Sequence, residues 1–332
     1  MSFLDEMKQK ARVSKKKIVL PEGTDLRVLT AASAAAKEGL AEVILVGNKK
    51  DILKAAGKID LSLVTIVDVA TAEKKEEYIE SFYELRKAKG LTREQARELM
   101  KDPVYFGNMM IKQNDADGLV SGAIHSTADT LRPALQIIKT APGTSLVSSF
   151  FIMVIPDCEY GQNGVFLFSD CGLNENPNAE QLSEIAISSA KTMKKLLGIT
   201  PIVAMLSYST YGSANSELTQ KVVQATALAK QKAPDLHIDG EMQVDAALVA
   251  STAKLKAPNS AVAGKANVLI FPDLNAGNIG YKLTERLAKA QAYGPVTQGL
   301  AKPINDLSRG CKAEDIIGVI AMTAVQAQRQ DS

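Results

Sequence analysis

The chain has 332 residues, 46% of them hydrophobic, and a formal net charge of +2 from 39 basic and 37 acidic residues. That length exceeds what one hydrophobic core usually fills, so two domains are expected, and the apolar content argues against disorder. The charge balance speaks against general nucleic-acid or membrane binding, and an odd set of three cysteines speaks against a disulfide framework and fits a reducing cytoplasm.

The N-terminus, MSFLDEMKQKARVSKKK, is too charged for a signal peptide and reads as an amphipathic first helix. Short apolar runs follow and read as strands: Lys17–Leu20, Glu42–Val46, Val64–Val67 and Gly118–Val120, then Leu146–Ile155, Val165–Phe168, Ile202–Leu206 and Val268–Phe271. Between them lie stretches of helical period: Leu26–Glu38, Lys74–Lys89, Arg93–Met100, Ala179–Leu197, Ser216–Lys232 and Lys282–Ala290. Strands separated by helices predict βαβ units, hence an α/β protein with mostly parallel sheets. Only Pro156–Gly164 separates two of the strands, too little for a helical crossover, so that pair reads as an antiparallel hairpin. The longest apolar run, Ser145–Pro156, is too short to cross a bilayer. A domain boundary is expected near residue 141.

No HExxH or CxxC motif is present, and His125 and His237 lie far apart, so no metal site is expected. Nor is there a P-loop or a GxGxxG after a strand. The segment Asp239-Gly-Glu-Met-Gln-Val-Asp245 carries three carboxylates, read either as surface acids or as a metal site.

The polar segment Tyr293–Cys311 ends in Ser308-Arg309-Gly310 and enters a helix beginning near Glu314. A Ser-Arg-Gly turn before a helix can gather backbone N–H groups, a hydroxyl and a guanidinium around one oxyanion. The same residues also suit a capped turn with a solvated charge. Asp315 sits in the first helical turn, where a carboxylate suits the helix dipole, or serves as a base. The dipole and a nearby arginine lower a carboxylate pKa, whereas a base at neutral pH benefits from a raised one. Arg27, Arg86 and Arg132 lie where each could face a cleft or be an exposed helix charge.

Taken together, SGAIHSTADTLRPALQIIKTA, IPDCEYG, VAMLSYSTYGSA, IDGEMQVDAA, NVLIFPDLNAGNIGYK and YGPVTQGLAKPINDLSRGC resemble the phosphate acetyltransferases, along essentially the whole chain. Several of these segments are shared with phosphate butyryltransferases. The resemblance implies two α/β domains with a cleft between them, similar to the isocitrate and isopropylmalate dehydrogenases, and a homodimer. It places residues 1–141 and 293–332 in domain one and 142–292 in domain two. It implies reversible acetyl transfer between coenzyme A and inorganic phosphate in a ternary complex, with coenzyme A as a substrate and no resident cofactor. Matched motif by motif, Asp315 takes the thiol proton, Ser308 meets the oxyanion, and Arg309 with Arg132 holds the phosphate. Arg86 and Arg27 meet phosphates of coenzyme A, and Cys158 lines the pocket. Rival readings are butyryl transfer, a metal- and NAD-dependent dehydrogenase on related architecture, and a non-catalytic acyl-CoA sensor.

Overall fold

The computed structural model describes residues 3–328. The chain divides into two compact units, one of residues up to Pro142 with those from Leu300 onward, the other Gly143–Gly299.

The first unit opens with α1 (Phe3–Val13), β1 (Lys17–Leu20), α2 (Leu26–Lys37), β2 (Glu42–Gly47), α3 (Lys49–Ala56) and β3 (Thr65–Asp68). It continues with α4 (Lys75–Arg86), α5 (Arg93–Leu99), α6 (Pro103–Lys112), β4 (Gly118–Ser121) and α7 (Thr127–Ile137). The second unit runs β5 (Ser148–Val154), α8 (Tyr160–Asn163), β6 (Val165–Ser169), α9 (Ala179–Thr192), β7 (Ile202–Leu206) and α10 (Glu217–Lys232). Then come β8 (His237–Met242), α11 (Val244–Leu248), α12 (Ala250–Lys256), β9 (Val268–Ile270), α13 (Leu274–Leu287) and β10 (Gln291–Gln298). The chain returns to the first unit with β11 (Ile304–Asp306) and α14 (Ala313–Gln328).

The first sheet has the order β11-β4-β1-β2-β3, and every pair in it is parallel. Ile18 and Val19 of β1 are both fully buried, which alternation along a strand allows only if both faces are covered. Gly107 of α6 lies against Val19 and Leu119, where a β-carbon would come within 2.8 Å and 2.9 Å of them. On the other face Thr323 of α14 meets Gly118 of β4. Helix α14 is apolar on nearly every side, from Ile316 to Ala327, because it packs against α1, α2 and the sheet together.

The second sheet has the order β10-β5-β6-β9-β7-β8, with β6, β9, β7 and β8 parallel. Strands β5 and β6 form the expected antiparallel hairpin, and β10 adds antiparallel at the edge. Phe151, Phe166, Phe168 and Met242 anchor its core. Helix α13 packs Tyr281 onto Phe151, ring centroids 4.1 Å apart, and leaves Ile279, Leu283 and Leu287 exposed four residues apart.

Three strands escape the apolar-run reading. Strand β8 carries Asp239 and Glu241, β10 carries Gly294 and Pro295 at a bulge, and β11 is three residues long. A proline-bearing strand is confined to an edge or a bulge, and β10 is at both. Because β10 pairs with β5, the chain stays in the second unit through Gly299 and not merely to 292. The helix expected over Lys282–Ala290 starts earlier, at Leu274, where Asp273 caps it. Helices α3, α6, α7, α8, α11 and α12 lie outside the expected helical stretches.

Candidate active site

In the first unit β1, β2 and β3 step outward on one side, and the chain then crosses back to place β4 against the other side of β1. The switch in strand order falls between β1 and β4, where open α/β sheets hold ligands beyond the strand carboxyl ends. Three loops leave from adjacent strands there: 21–25 after β1, 122–126 after β4, and 307–312 after β11.

Glu22 joins the first two loops. Its carboxylate is 2% exposed and accepts from the backbone N–H groups of Gly122 (3.0 Å), Ala123 (2.8 Å), Ile124 (2.9 Å) and His125 (3.0 Å). His125 Nδ1 donates to it as well, at 2.8 Å, since an ionised carboxylate only accepts. Four backbone donors and an imidazole satisfy a buried charge that would otherwise be costly.

Arg27 joins all three loops. Nε and Nη2 donate to the two oxygens of Asp25, the N-cap of α2, at 3.1 Å and 2.8 Å. The second Nη2 donor reaches the carbonyl of Ala123 (2.8 Å), and Nη1 reaches the carbonyls of Arg309 (2.8 Å) and Cys311 (3.1 Å). All five donors of the guanidinium are taken. The arginine expected at a phosphate of coenzyme A is instead a clamp on the Ser308–Cys311 turn. The bond from Arg27 holds the Asp25 carboxyl below its ordinary range.

The clamped turn is closed by Cys311 N–H donating to the Ser308 carbonyl at 2.9 Å. Ser308, Arg309 and Gly310 are exposed. Among the described residues the Arg309 guanidinium makes no hydrogen bond or ion pair. Asp315 Oδ2 accepts from the Lys312 N–H at 2.8 Å, which fixes the carboxylate at the start of α14. The Cys311 thiol between them is pushed up to about 11, mainly by burial and further by Asp315, Glu22 and Asp25, against the opposing pull of Arg27. A thiol raised in this way is largely protonated at neutral pH and packs as a small hydrophobe.

Below the turn lies Asp306, 4% exposed, at the end of β11 and in register with Ser121 of β4. Thr127, the first residue of α7, donates to its Oδ2 at 2.6 Å. Burial raises this carboxyl from 3.8 to about 6, with the like charge of Glu22 adding to it against the Thr127 and Thr130 hydroxyls.

Arg86 and Arg132 form a second group. Both guanidinium charges act on the buried Tyr105 phenol, opposing the upward push of its burial. Arg86 ends α4 and lines an open pocket of about 690 Å³ with Lys89, Leu91, Gln95, Tyr105 and Gln136. Arg132 is 60% exposed on α7, with only a long contact of 3.6 Å to Asp129. Helix α7 thus starts at the Asp306 carboxyl and carries Arg132 about one and a half turns further along.

Cys158 lies in the second unit, half-buried beside its hairpin core. The acidic segment after residue 238 is spoken for by protein groups. Asp239 accepts from Lys230, Tyr211 and Ser260, Glu241 from Ser209 and Gly212, and Asp245 from Lys256. Among the described residues no three potential ligands gather as a metal site would require, and no helix is long and apolar enough to cross a membrane. The sequence offers Glu22 no role and Asp306 only that of a turn cap, since a buried acid and a solvated one are spelled alike; the one hint is their position at strand ends.

Residues 2–324 match the family model described as Phosphate acetyl/butaryl transferase, and the chain belongs to that family of acyltransferases. It is similar to the phosphate acetyltransferase of Acetivibrio thermocellus, 66% identical over 328 residues that cover 99% of each chain. The phosphate acetyltransferase of Thermoanaerobacterium thermosaccharolyticum is 61% identical, covering 99% of this chain and all of that one. A phosphotransacetylase structure from Streptococcus pyogenes superimposes with a TM-score of 0.93 at 46% identity, over 99% of both chains.

Proposed function

We propose that this enzyme transfers an acetyl group reversibly between coenzyme A and inorganic phosphate, by direct attack of the thiolate within a ternary complex. The observation that carries the reading is the exposed Ser308-Arg309 turn beside the switch point of the first sheet, clamped by Arg27 and followed by Asp315 held in the first turn of α14. A thiol with a pKa near ~8.5 is mostly protonated at neutral pH, so a base must take its proton. Asp315 does this, with one carboxylate oxygen held by Lys312 N–H and the other left to accept. The sulfur then bonds to the acetyl carbon of acetyl phosphate. Ser308 donates to the carbonyl oxygen as it gains charge. The carbon–oxygen bond to phosphate breaks, and Arg309 with Arg132 stabilises the departing anion. Holding both reactants in one geometry supplies much of the remaining acceleration. Arg86 and its pocket take a phosphate of coenzyme A. Cys158 carries no step. The proton taken up by Asp315 passes on to the departing phosphate, so the exchange balances and needs no resident cofactor.

The three free cysteines suit a cytoplasmic setting. The exposed stripe Ile279, Leu283 and Leu287 on α13 supports a homodimer through this face, since a second copy would cover it with its own. One assay tests the activity: purified protein with acetyl phosphate and coenzyme A, following phosphate release and thioester formation. Release that depends on the thiol is expected. No release, or faster turnover of butyryl-CoA than acetyl-CoA, overturns the reading.

A further inference from the structure

We propose that Asp306 is a positioning residue for the acyl transfer, its buried carboxyl tying the Ser308–Arg309 turn to the first turn of α7 and thereby to Arg132. The inference rests on the roles given above to Ser308, Arg309 and Arg132.

The geometry is specific. Asp306 lies two residues before Ser308, and Leu307 between them is held by its N–H to the Ser121 carbonyl at 2.7 Å. Any movement of the Asp306 side chain is therefore transmitted to the turn over a short, hydrogen-bonded stretch. On the far side its Oδ2 takes the Thr127 hydroxyl, so the same carboxyl fixes the start of α7. Gly122 seals it in. At its φ of +112° no other residue sits easily, and a β-carbon there would lie 2.3 Å from Asp306 Oδ1.

The bonding of this buried group is incomplete. Oδ1 has no hydrogen-bond partner, and neither do the buried hydroxyls of Thr130 and Ser121 nearby. Most buried polar groups are paired, so an unpaired carboxyl oxygen with two unpaired hydroxyls close by leaves more than one way to complete the bonding here. They form a set that can be satisfied in two ways. An ionised Asp306 accepts from Thr127, and from Thr130 once that hydroxyl turns toward Oδ1. A protonated one donates, and a hydroxyl beside it must turn round to accept. The two states hold the turn differently.

The surroundings do not neutralise the charge. Glu22, on the loop after β1, acts on it with like sign. On α7, Asp129 is engaged by Ser126 and Arg132, and His125 is engaged by Glu22. Helix α14 offers Thr323 and Gln326, which bond Asn305. Burial raises the carboxyl to about 6, within the range where an enzyme is assayed.

The test is the pH dependence of kcat/KM for acetyl phosphate between pH 5 and 9, for wild type, Asp306→Asn and Thr127→Val. Substrate ionisations are common to all three, so differences belong to the protein. Wild type should lose activity as pH falls through about 6. Asp306→Asn, fixed in the neutral state, should be slower by roughly tenfold at pH 8 and lack that limb, with the KM for coenzyme A little changed. Thr127→Val removes a donor to the ionised form and should move the limb to higher pH. An Asp306→Asn variant with the wild-type limb and rate overturns the proposal. If that variant does not fold, an unmoved limb in Thr127→Val overturns it by itself. Arg309→Ala separates the two readings: undiminished phosphate-dependent turnover there sinks the role of the turn, whereas loss there with unchanged Asp306 and Thr127 variants sinks only this inference.

Discussion

The Arg27 guanidinium donates to the backbone carbonyl of Arg309, a residue 282 positions further along the chain, at 2.8 Å. One side chain thereby sets the level at which another is presented. The bond is to a carbonyl, so it leaves the Arg309 guanidinium free for a ligand.

Arg27→Lys separates clamping from ligand binding. A lysine keeps the charge but cannot span the carbonyls of Ala123, Arg309 and Cys311 together with both oxygens of Asp25. Turnover should fall by about 10- to 100-fold, with the KM for coenzyme A close to wild type. Steady-state kinetics decide: an effect confined to that KM returns Arg27 to phosphate binding.

Glu22→Gln replaces one acceptor oxygen by an amide that donates. Two of the four backbone N–H groups between Gly122 and His125 would then face a donor. An orphaned buried donor costs about 1–3 kcal/mol, so the two together predict a loss of roughly 2–6 kcal/mol in urea unfolding. A variant as stable as wild type contradicts the arrangement of the loop.

Asp306→Asn has a stability signature of its own. A carboxyl with its folded pKa raised from 3.8 to about 6 favours unfolding once ionised. The wild type is unaffected below about pH 4, where both states are protonated. It loses stability as pH rises from about 4 to 6, and the deficit is constant above that. About two units correspond to at most ~3 kcal/mol. Stability of the variant minus that of wild type should therefore grow across this window, as read by denaturation at stepped pH. A flat difference shows that Asp306 is not held in this way.

Asp315→Asn keeps the bond from Lys312 N–H through its oxygen but removes the base. Turnover should drop by about 10²-fold or more while affinity for coenzyme A holds. An unchanged rate excludes Asp315 as the proton acceptor.

Leu283→Glu places a charge at the centre of the exposed stripe on α13, among residues that do not build the core of the second unit. Light scattering should report a mass half that of wild type. A monomeric wild type, or an unaltered dimer, rejects this face as the contact.

The reach of sequence reasoning follows from what each residue has to look like to do its work. Strands such as KIVL and EVILV are buried on both faces, and an unbroken apolar run has few other uses. Strand β8 hides because its acids are satisfied by partners on other elements: Lys230 and Ser260 for Asp239, Ser209 for Glu241. Strand β11 hides because three residues, two of them polar, carry no period. The Ser308–Asp315 region stands out by its motif and its place before a helix. The residues that hold it do not. Glu22 has its partners about a hundred positions away and Asp306 has Thr127 at a separation of 179, so nothing local distinguishes them from surface acids. Arg27 is visible as a charge after a strand, but only the fold shows that every one of its donors is spent on the protein.

Because β11 and α14 complete a sheet begun by β1, the first unit is written in two instalments. At the pace of the ribosome, the intervening stretch of about 160 residues takes roughly 8–30 s to emerge. For that interval the outer edge of β4 and the apolar bed of α14 face solvent, open to chaperones or to a neighbouring nascent chain. The turn that Arg27 clamps leads into the very piece that closes this bed. The Ser308–Cys311 turn therefore takes its place only once this last piece has docked.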